Sequence, residues 1–179
     1  MTGGAGTIAI RACPTAASLG HNRRVPLSAS AAARLATQLE CLPALLDGAS
    51  GEALERRTRS GKWSVRENLA HLARHHEIVL DRVRRVLEED RPVLARYAAE
   101  EDSEWPAWAA LPMGEVRARL GRMRHELVRL VDGLDAEALA RTAVHPALGE
   151  MPLTLWIEFF LLHEAHHLYV VMKRARGGE

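Results

Sequence analysis

Four segments of the chain carry apolar side chains at intervals of three and four residues. This spacing places the side chains of each segment along one face of an α-helix. No segment has the alternating pattern expected of a central strand, so we expect amphipathic helices. Four helices of this length predict an all-α fold, a four-helix bundle. The four apolar stripes run over residues 35–46, 65–86, 116–134 and 156–170.

Capping residues and prolines locate the ends of these helices. Ser64 and Glu67 form a Ser-x-x-Glu capping box, which predicts that the second helix begins directly after Ser64. The first helix is expected over residues 30–46. Pro43 predicts a kink or an early end there, because proline removes a hydrogen bond to the preceding turn. Pro152 suits the first turn of the last helix.

The connection between the second and third helices is long for a compact domain. It covers residues 89–113 and contains three prolines and two tryptophans. Connections of this length often form a lid or a wall of a binding site. The tryptophans, Trp105 and Trp108, are interpreted as packing residues, as is Tyr169 in the last helix. A second long connection, residues 135–151, contains a short helical turn near its start.

The charge balance excludes partners that require a strong overall field. The chain has 24 basic and 23 acidic residues and a net charge of +1. Neither nucleic acid nor an anionic membrane is therefore expected to bind. No apolar run is long enough for a signal-peptide core or a membrane span. A small molecule is the expected partner, and exposed helix faces would suit a homodimer.

The two cysteines and the first residues bear on location and domain organisation. Cys13 and Cys41 are too few for a disulfide framework, which favours a reducing compartment, and a cytoplasmic location is expected. Residues 1–26 are rich in Gly, Ala, Ser and Thr and are interpreted as a disordered or loosely packed leader. Residues 27–176 then form the bundle domain.

Histidine is the outlying residue type, with nine in the chain. Residues 163–167 read His-Glu-Ala-His-His, which matches the H-E-x-x-H signature of zinc proteases. His163 and His167 lie one helical turn apart, so their imidazoles can hold one metal ion. They share a stripe with Trp156 and Phe160, so both imidazoles should point into the bundle. Few residues follow the motif, so the third ligand should lie upstream.

The second helix offers three candidates for that third ligand. His71, His75 and His76 lie at about the depth of the paired histidines. His75 is the main rival of His71, since one turn separates them, and His166 can replace a histidine of the last helix. Three histidines would leave a fourth coordination position open, as in catalytic zinc sites.

Two stretches of the chain resemble the DinB-like metal-binding four-helix bundles. The first is Lys-Trp-Ser-Val-Arg-Glu-Asn-Leu-Ala-His-Leu at residues 62–72, and the second is His-Glu-Ala-His-His-Leu at residues 163–168. The resemblance extends from residue 27 to residue 176. It implies that one histidine after the Trp-Ser-x-x-Glu start and two in the last helix hold the metal. These implied ligands are His71, His163 and His167.

The biochemistry of the family is mixed, so the resemblance implies two kinds of enzyme. Some members resemble metal-dependent hydrolases, and others use a low-molecular-weight thiol in transferase or isomerase reactions. Zinc or nickel is the favoured divalent ion, although iron and copper also suit three histidines. Many members carry glutamine three residues after the second paired histidine, where this chain has Val170. This departure leaves a non-enzymatic, metal- or stress-responsive dimerising bundle as the alternative.

Two glutamates are the candidate catalytic residues, and each has a structural explanation as well. Glu67 completes the capping box, yet it lies one turn before His71 and suits a carboxylate that orients this imidazole. Glu164 would be the general base if the chain worked as zinc proteases do.

Overall fold

The computed structural model describes residues 27–179, so the predicted leader of residues 1–26 lies outside the described residues. The long helices pack side by side around a shared interior, which confirms the predicted all-α four-helix bundle. The helices are α1 (Ala29–Thr37), α2 (Leu42–Leu46), α3 (Gly51–Glu55), α4 (Val65–Glu88), α5 (Trp105–Ala109), α6 (Met113–Asp132), α7 (Ala136–Ala140) and α8 (Leu153–Ala175). A short hairpin adds β1 (Thr142–His145) and β2 (Gly149–Pro152).

The first helix of the bundle is broken, as Pro43 predicted. A 3₁₀ turn, Gln38–Cys41, separates α1 from α2, and Pro43 lies in the first turn of α2. Ser28 caps the start of α1, where its hydroxyl accepts a hydrogen bond from the backbone nitrogen of Ala31 at 3.0 Å. The proline can start α2 but cannot continue α1 without a lost hydrogen bond.

Helix α4 is central and packs against both α6 and α8. The predicted capping box is present at its start. The Ser64 hydroxyl accepts from the Glu67 nitrogen at 3.1 Å, and the Glu67 carboxylate accepts from the Ser64 nitrogen at 2.9 Å. Two backbone donors of the first turn are thereby satisfied. The position of every later residue of α4 along the bundle follows from this fixed start.

The core consists of two clusters along the bundle axis. The first includes Val79 of α4 with Phe160 and Leu161 of α8. The second includes Leu72 of α4 and Leu168 of α8. His163 and His167 therefore lie on the stretch of α8 between the two apolar clusters.

The hairpin β1–β2 was not expected, since the sequence showed no convincing strand. Its strands are only four residues long and pair antiparallel, with Ala143 opposite Met151. Gly149 has a φ of +77°, a backbone conformation that glycine adopts without strain. The preceding helical turn, predicted near residues 135–140, is confirmed as α7.

The long connection between α4 and α6 contains only short helical turns and is held in place by backbone hydrogen bonds. The backbone nitrogen of Leu94 donates to the Val144 carbonyl at 3.0 Å, which attaches the connection to β1. A 3₁₀ turn, Ala99–Glu101, and helix α5 follow. None of the helices among residues 27–179 has both the length and the hydropathy needed to cross a membrane.

Candidate metal centre

Three imidazoles from two helices meet inside the bundle. His71 comes from α4, and His163 and His167 come from α8; one nitrogen of each lies within 4.8 Å of the others. The Nε2 atoms of His71 and His163 are 3.2 Å apart. A tetrahedral zinc ion with bonds of about 2.0–2.1 Å needs nitrogens about 3.3 Å apart. Small side-chain adjustments would therefore let this triad hold an ion.

The position of His75 distinguishes it from His71, its rival for the third ligand. His75 is buried, and its ring centre is 4.0 Å from that of His163. It also stacks on Phe160 at 5.9 Å. The group of three that can hold an ion contains His71 and not His75. His75 thus packs behind His163, on the side of the apolar core.

Burial keeps the triad neutral. Burial, together with repulsion from neighbouring imidazoles, lowers the pKa of His71 to about 3, of His163 to about 4 and of His167 to about 2. Burial is the larger cause, and the imidazoles contribute because two positive rings at this distance would repel each other. At neutral pH each ring therefore offers an unprotonated nitrogen to a metal ion without competition from a proton.

Asn68 fixes the orientation of His167, a role that the sequence patterns did not reveal. The Asn68 amide nitrogen donates to the carbonyl oxygens of Ser64, at 2.7 Å, and Trp63, at 3.3 Å. Its Oδ1 therefore faces His167 and accepts a hydrogen bond from Nδ1 at 3.0 Å. With the proton on Nδ1, the Nε2 lone pair of His167 is free to bind a metal. One turn separates Asn68 from the start of α4.

We expect Asn68→Ala to weaken divalent-metal binding by about 10- to 100-fold, because outer hydrogen-bond partners of metal ligands have effects of this size. Isothermal titration with zinc measures the affinity. Asn68→Asp is the matched control, since it keeps an acceptor oxygen for His167 and should retain most of the affinity. Equal zinc affinities of the alanine variant and the parent would contradict this role of Asn68.

An aromatic wall borders the triad. The ring centre of Trp63 lies 5.0 Å from that of His71, and Trp105 meets the same imidazole edge-on at 6.1 Å. Tyr97 stacks on His71 at 5.7 Å, while its hydroxyl donates to Asp102 at 3.2 Å. Tyr97 and Trp105 both belong to the long connection, which thus supplies part of the wall. Nothing in the local sequence around Tyr97 indicated this contact.

A cavity of about 520 Å³ opens beside His167. Val170, the residue at the position where relatives often have glutamine, lines it. Tyr169 also lines it and is 58% exposed, so its interpretation as a packing residue is wrong. Trp108, by contrast, is buried in the second core cluster, as predicted. A small molecule in this cavity would lie against the imidazole of His167.

Glu67, the first candidate catalytic residue, is buried at the start of α4. The Arg57 guanidinium donates to both of its oxygens, with Nε 2.9 Å from each. Burial alone would raise the pKa of Glu67, but the hydrogen bonds from Arg57 and Ser64 hold it below its usual value. Among the described residues, none of its hydrogen bonds reaches His71. Its role in orienting that ligand stays a prediction.

Glu164, the second candidate, is fully buried and faces a different set of partners from His163. Its carboxylate accepts hydrogen bonds from Gln38, at 2.9 Å, and from Arg124. The His76 Nε2 atom lies 3.2 Å away. Burial raises the pKa of Glu164, whereas His76, Arg124 and Gln38 together outweigh this effect and lower it. These partners explain an ionised glutamate in the core, and its action as a base stays a prediction.

The chain is similar to several bacterial proteins. One from Bacillus cereus (strain B4264), named as a candidate metal-dependent hydrolase, is 30% identical over 109 residues. The match covers 61% of this chain and 62% of that protein. A relative from Oceanobacillus iheyensis, also named as a candidate metal-dependent hydrolase, is 28% identical over 135 residues. The match covers 73% of this chain and 78% of that protein.

Two solved structures have the same fold. YfiT from Bacillus subtilis, described as a candidate metal-dependent hydrolase with an unusual four-helix bundle topology, superimposes with a TM-score of 0.66 at 22% identity. The match covers 85% of this chain and 91% of YfiT. TT2238, described as a four-helix bundle protein, has a TM-score of 0.52 at 30% identity, covering 79% and 94% of the two chains.

The family model agrees with the fold. The model described as the DinB superfamily matches residues 34–171, well over half of the chain. This region contains His71, His163 and His167 as well as the capping box of α4. The chain belongs to the DinB superfamily.

Proposed function

We propose that the protein is a metal-dependent hydrolase in which His71, His163 and His167 hold a divalent ion, with zinc or nickel favoured. The observation that carries the proposal is the triad of neutral imidazoles next to an open cavity of about 520 Å³. The names of the relatives in Bacillus and Oceanobacillus support hydrolysis over other reactions.

The ligand set suits Lewis-acid chemistry. Three uncharged imidazoles leave the double positive charge of a divalent ion available to polarise a carbonyl or phosphoryl group and to acidify water. The protein residues select and position the substrate. Asn68 holds His167 in one tautomer, and the rings of Trp63 and Trp105 shield the triad from solvent on one side.

Loading the purified full chain with zinc or nickel should produce turnover of small esters or amides. The test compares metal-loaded protein, metal-free protein and a His163→Ala, His167→Ala variant, with and without a low-molecular-weight thiol. Turnover that requires metal but no thiol is the expected result. Turnover only with thiol would replace hydrolysis by thiol-dependent transfer. Stoichiometric metal without turnover on any substrate would favour the non-enzymatic bundle.

We also propose that the protein forms a homodimer through α8. Leu155 and Leu162 are exposed and lie seven residues apart, so they share one face of the helix. Exposed apolar side chains on one face are typical of association surfaces. Light scattering measures the molar mass, and a Leu162→Glu variant should shift it toward the monomer. A parent protein that is monomeric at every concentration tested would contradict this proposal.

A further inference from the structure

The two lysines of this chain line the same cavity. Of 24 basic residues only Lys62 and Lys173 are lysines, and all others are arginines. Lys62 precedes α4 and Lys173 lies in the last turn of α8, yet both line the cavity beside His167. In a chain whose other basic residues are all arginines, both lysines therefore lie at the candidate site.

Among residues 27–179, both ammonium groups lack a partner of opposite charge. Many arginines are paired, as Arg74 is with Asp102, at 2.7 Å, and Arg85 with Glu89, also at 2.7 Å. Within the part of the chain that the structure describes, no carboxylate oxygen lies within 4.0 Å of either lysine nitrogen. Lysine carries a compact charge on a flexible stem, so it can follow a mobile anionic group more easily than the planar arginine can.

The other charged side chains that line the cavity are one arginine and two glutamates. Arg174 is buried, and its Nη1 donates to the Gly178 carbonyl at 2.8 Å, while its Nε has no partner among the described residues. Glu100 and Glu179 are the acidic side chains among the lining residues. The Glu179 carboxylate accepts a hydrogen bond from the Arg59 backbone nitrogen at 3.2 Å. Three cationic and two acidic side chains therefore line the cavity, and one of the acidic side chains is already hydrogen-bonded.

We infer that the substrate is a small molecule with a carboxylate or phosphate group, which Lys62 and Lys173 bind while its reactive group lies at the histidine triad. The inference rests on the proposed function, because it names the substrate class of the same site. The anionic group would occupy the outer part of the cavity, where the lysines are exposed. Trp63 and His167 border the same space toward the triad.

A matched pair of metal-binding probes tests this assignment. Butanohydroxamate and succinate monohydroxamate bind metal through the same group and differ in that a methyl group of the first is a carboxylate in the second. Titration of the zinc-loaded full chain should give about tenfold tighter binding of the anionic probe, since exposed ion pairs contribute modestly and two are formed. Equal affinities of the two probes would overturn the inference.

Charge-removal variants separate the lysines from the overall charge. Lys62→Met with Lys173→Met should abolish the preference for the anionic probe and leave zinc content and butanohydroxamate affinity unchanged. Arg117→Met with Arg129→Met removes the same charge from exposed positions on α6 and should keep the preference. A preference that survives the lysine variant, or disappears in the arginine variant, would contradict the assignment.

A metal-free arm distinguishes failure of the lysine assignment from failure of the metal centre. If zinc does not bind, the proposed function fails, yet the lysine pair can still be tested. Succinate and inorganic phosphate are then titrated into metal-free protein and followed by NMR. Binding of either anion to the parent and not to the lysine variant supports the anion site. The anion that binds more tightly identifies whether the site prefers a carboxylate or a phosphate group. Absence of binding by both anions overturns it.

Discussion

Replacing His163 by alanine is expected to lower the affinity for divalent metal by more than about 100-fold, since even outer partners of metal ligands contribute about 10- to 100-fold. His163 supplies one of three imidazole nitrogens that lie within 4.8 Å of one another. Its Nε2 atom lies 3.2 Å from the Nε2 atom of His71. Two remaining imidazoles leave an ion held by half of a tetrahedral ligand set. Isothermal titration with zinc, combined with elemental analysis of purified protein, measures the loss.

His166→Ala is the matched control for this change. It removes an imidazole three residues along the same helix, at an exposed position that lines the cavity. This variant should bind zinc as tightly as the parent, because the group of three does not include His166. Loss of zinc binding in His166→Ala, with binding retained in His163→Ala, would show that His166 and not His163 is the ligand.

Replacing Arg124 by leucine should lower the free energy of unfolding by about 3–5 kcal/mol, the effect of removing one partner from a buried ion pair. Arg124 and Glu164 are both buried, and their ion pair joins α6 to α8. The guanidinium also donates to the Leu35 carbonyl at 3.2 Å, which connects α1. Without it, the buried Glu164 carboxylate loses its arginine partner. Urea denaturation of metal-free protein measures the difference.

A double variant separates the unpaired charge from the loss of packing. Arg124→Leu with Glu164→Leu removes both charges, and apolar replacements of a whole buried pair are often close to neutral. The double variant should therefore be more stable than Arg124→Leu alone. A single variant that loses less than about 1 kcal/mol would show that solvent or another cation compensates Glu164, since a typical substitution already has that effect.

Regular spacing made the bundle and the inward-facing histidines predictable from the sequence, whereas the choice of His71 over His75 came from the family resemblance. Apolar residues at helical intervals defined the long helices, and the capping box fixed where α4 begins. Once that start is known, His71 has a definite height and direction. His163 and His167 share a stripe with Phe160, so they point into the same interior. Each of these inferences depends only on the repeat of an α-helix.

Contacts that depend on the path of irregular segments were not predictable. Tyr97 reaches His71 because the long connection is attached to β1, and the hairpin itself is too short for its alternation to be recognised. Asn68 appears in the sequence as an ordinary polar residue of α4. Its role depends on a contact with His167 on the neighbouring helix α8. The spacing of residues along α4 alone does not reveal such a contact.

The hydrogen bonds of Asn68 connect the candidate metal centre to the start of α4. The same amide that accepts from His167 donates to the carbonyls of Ser64 and Trp63, at the point where the chain enters α4. An ion that immobilises His167 would therefore also oppose fraying of the first turn of α4. Because Trp63 and Lys62 precede that turn and line the cavity, binding of a metal ion would be thermodynamically linked to the shape of the cavity entrance.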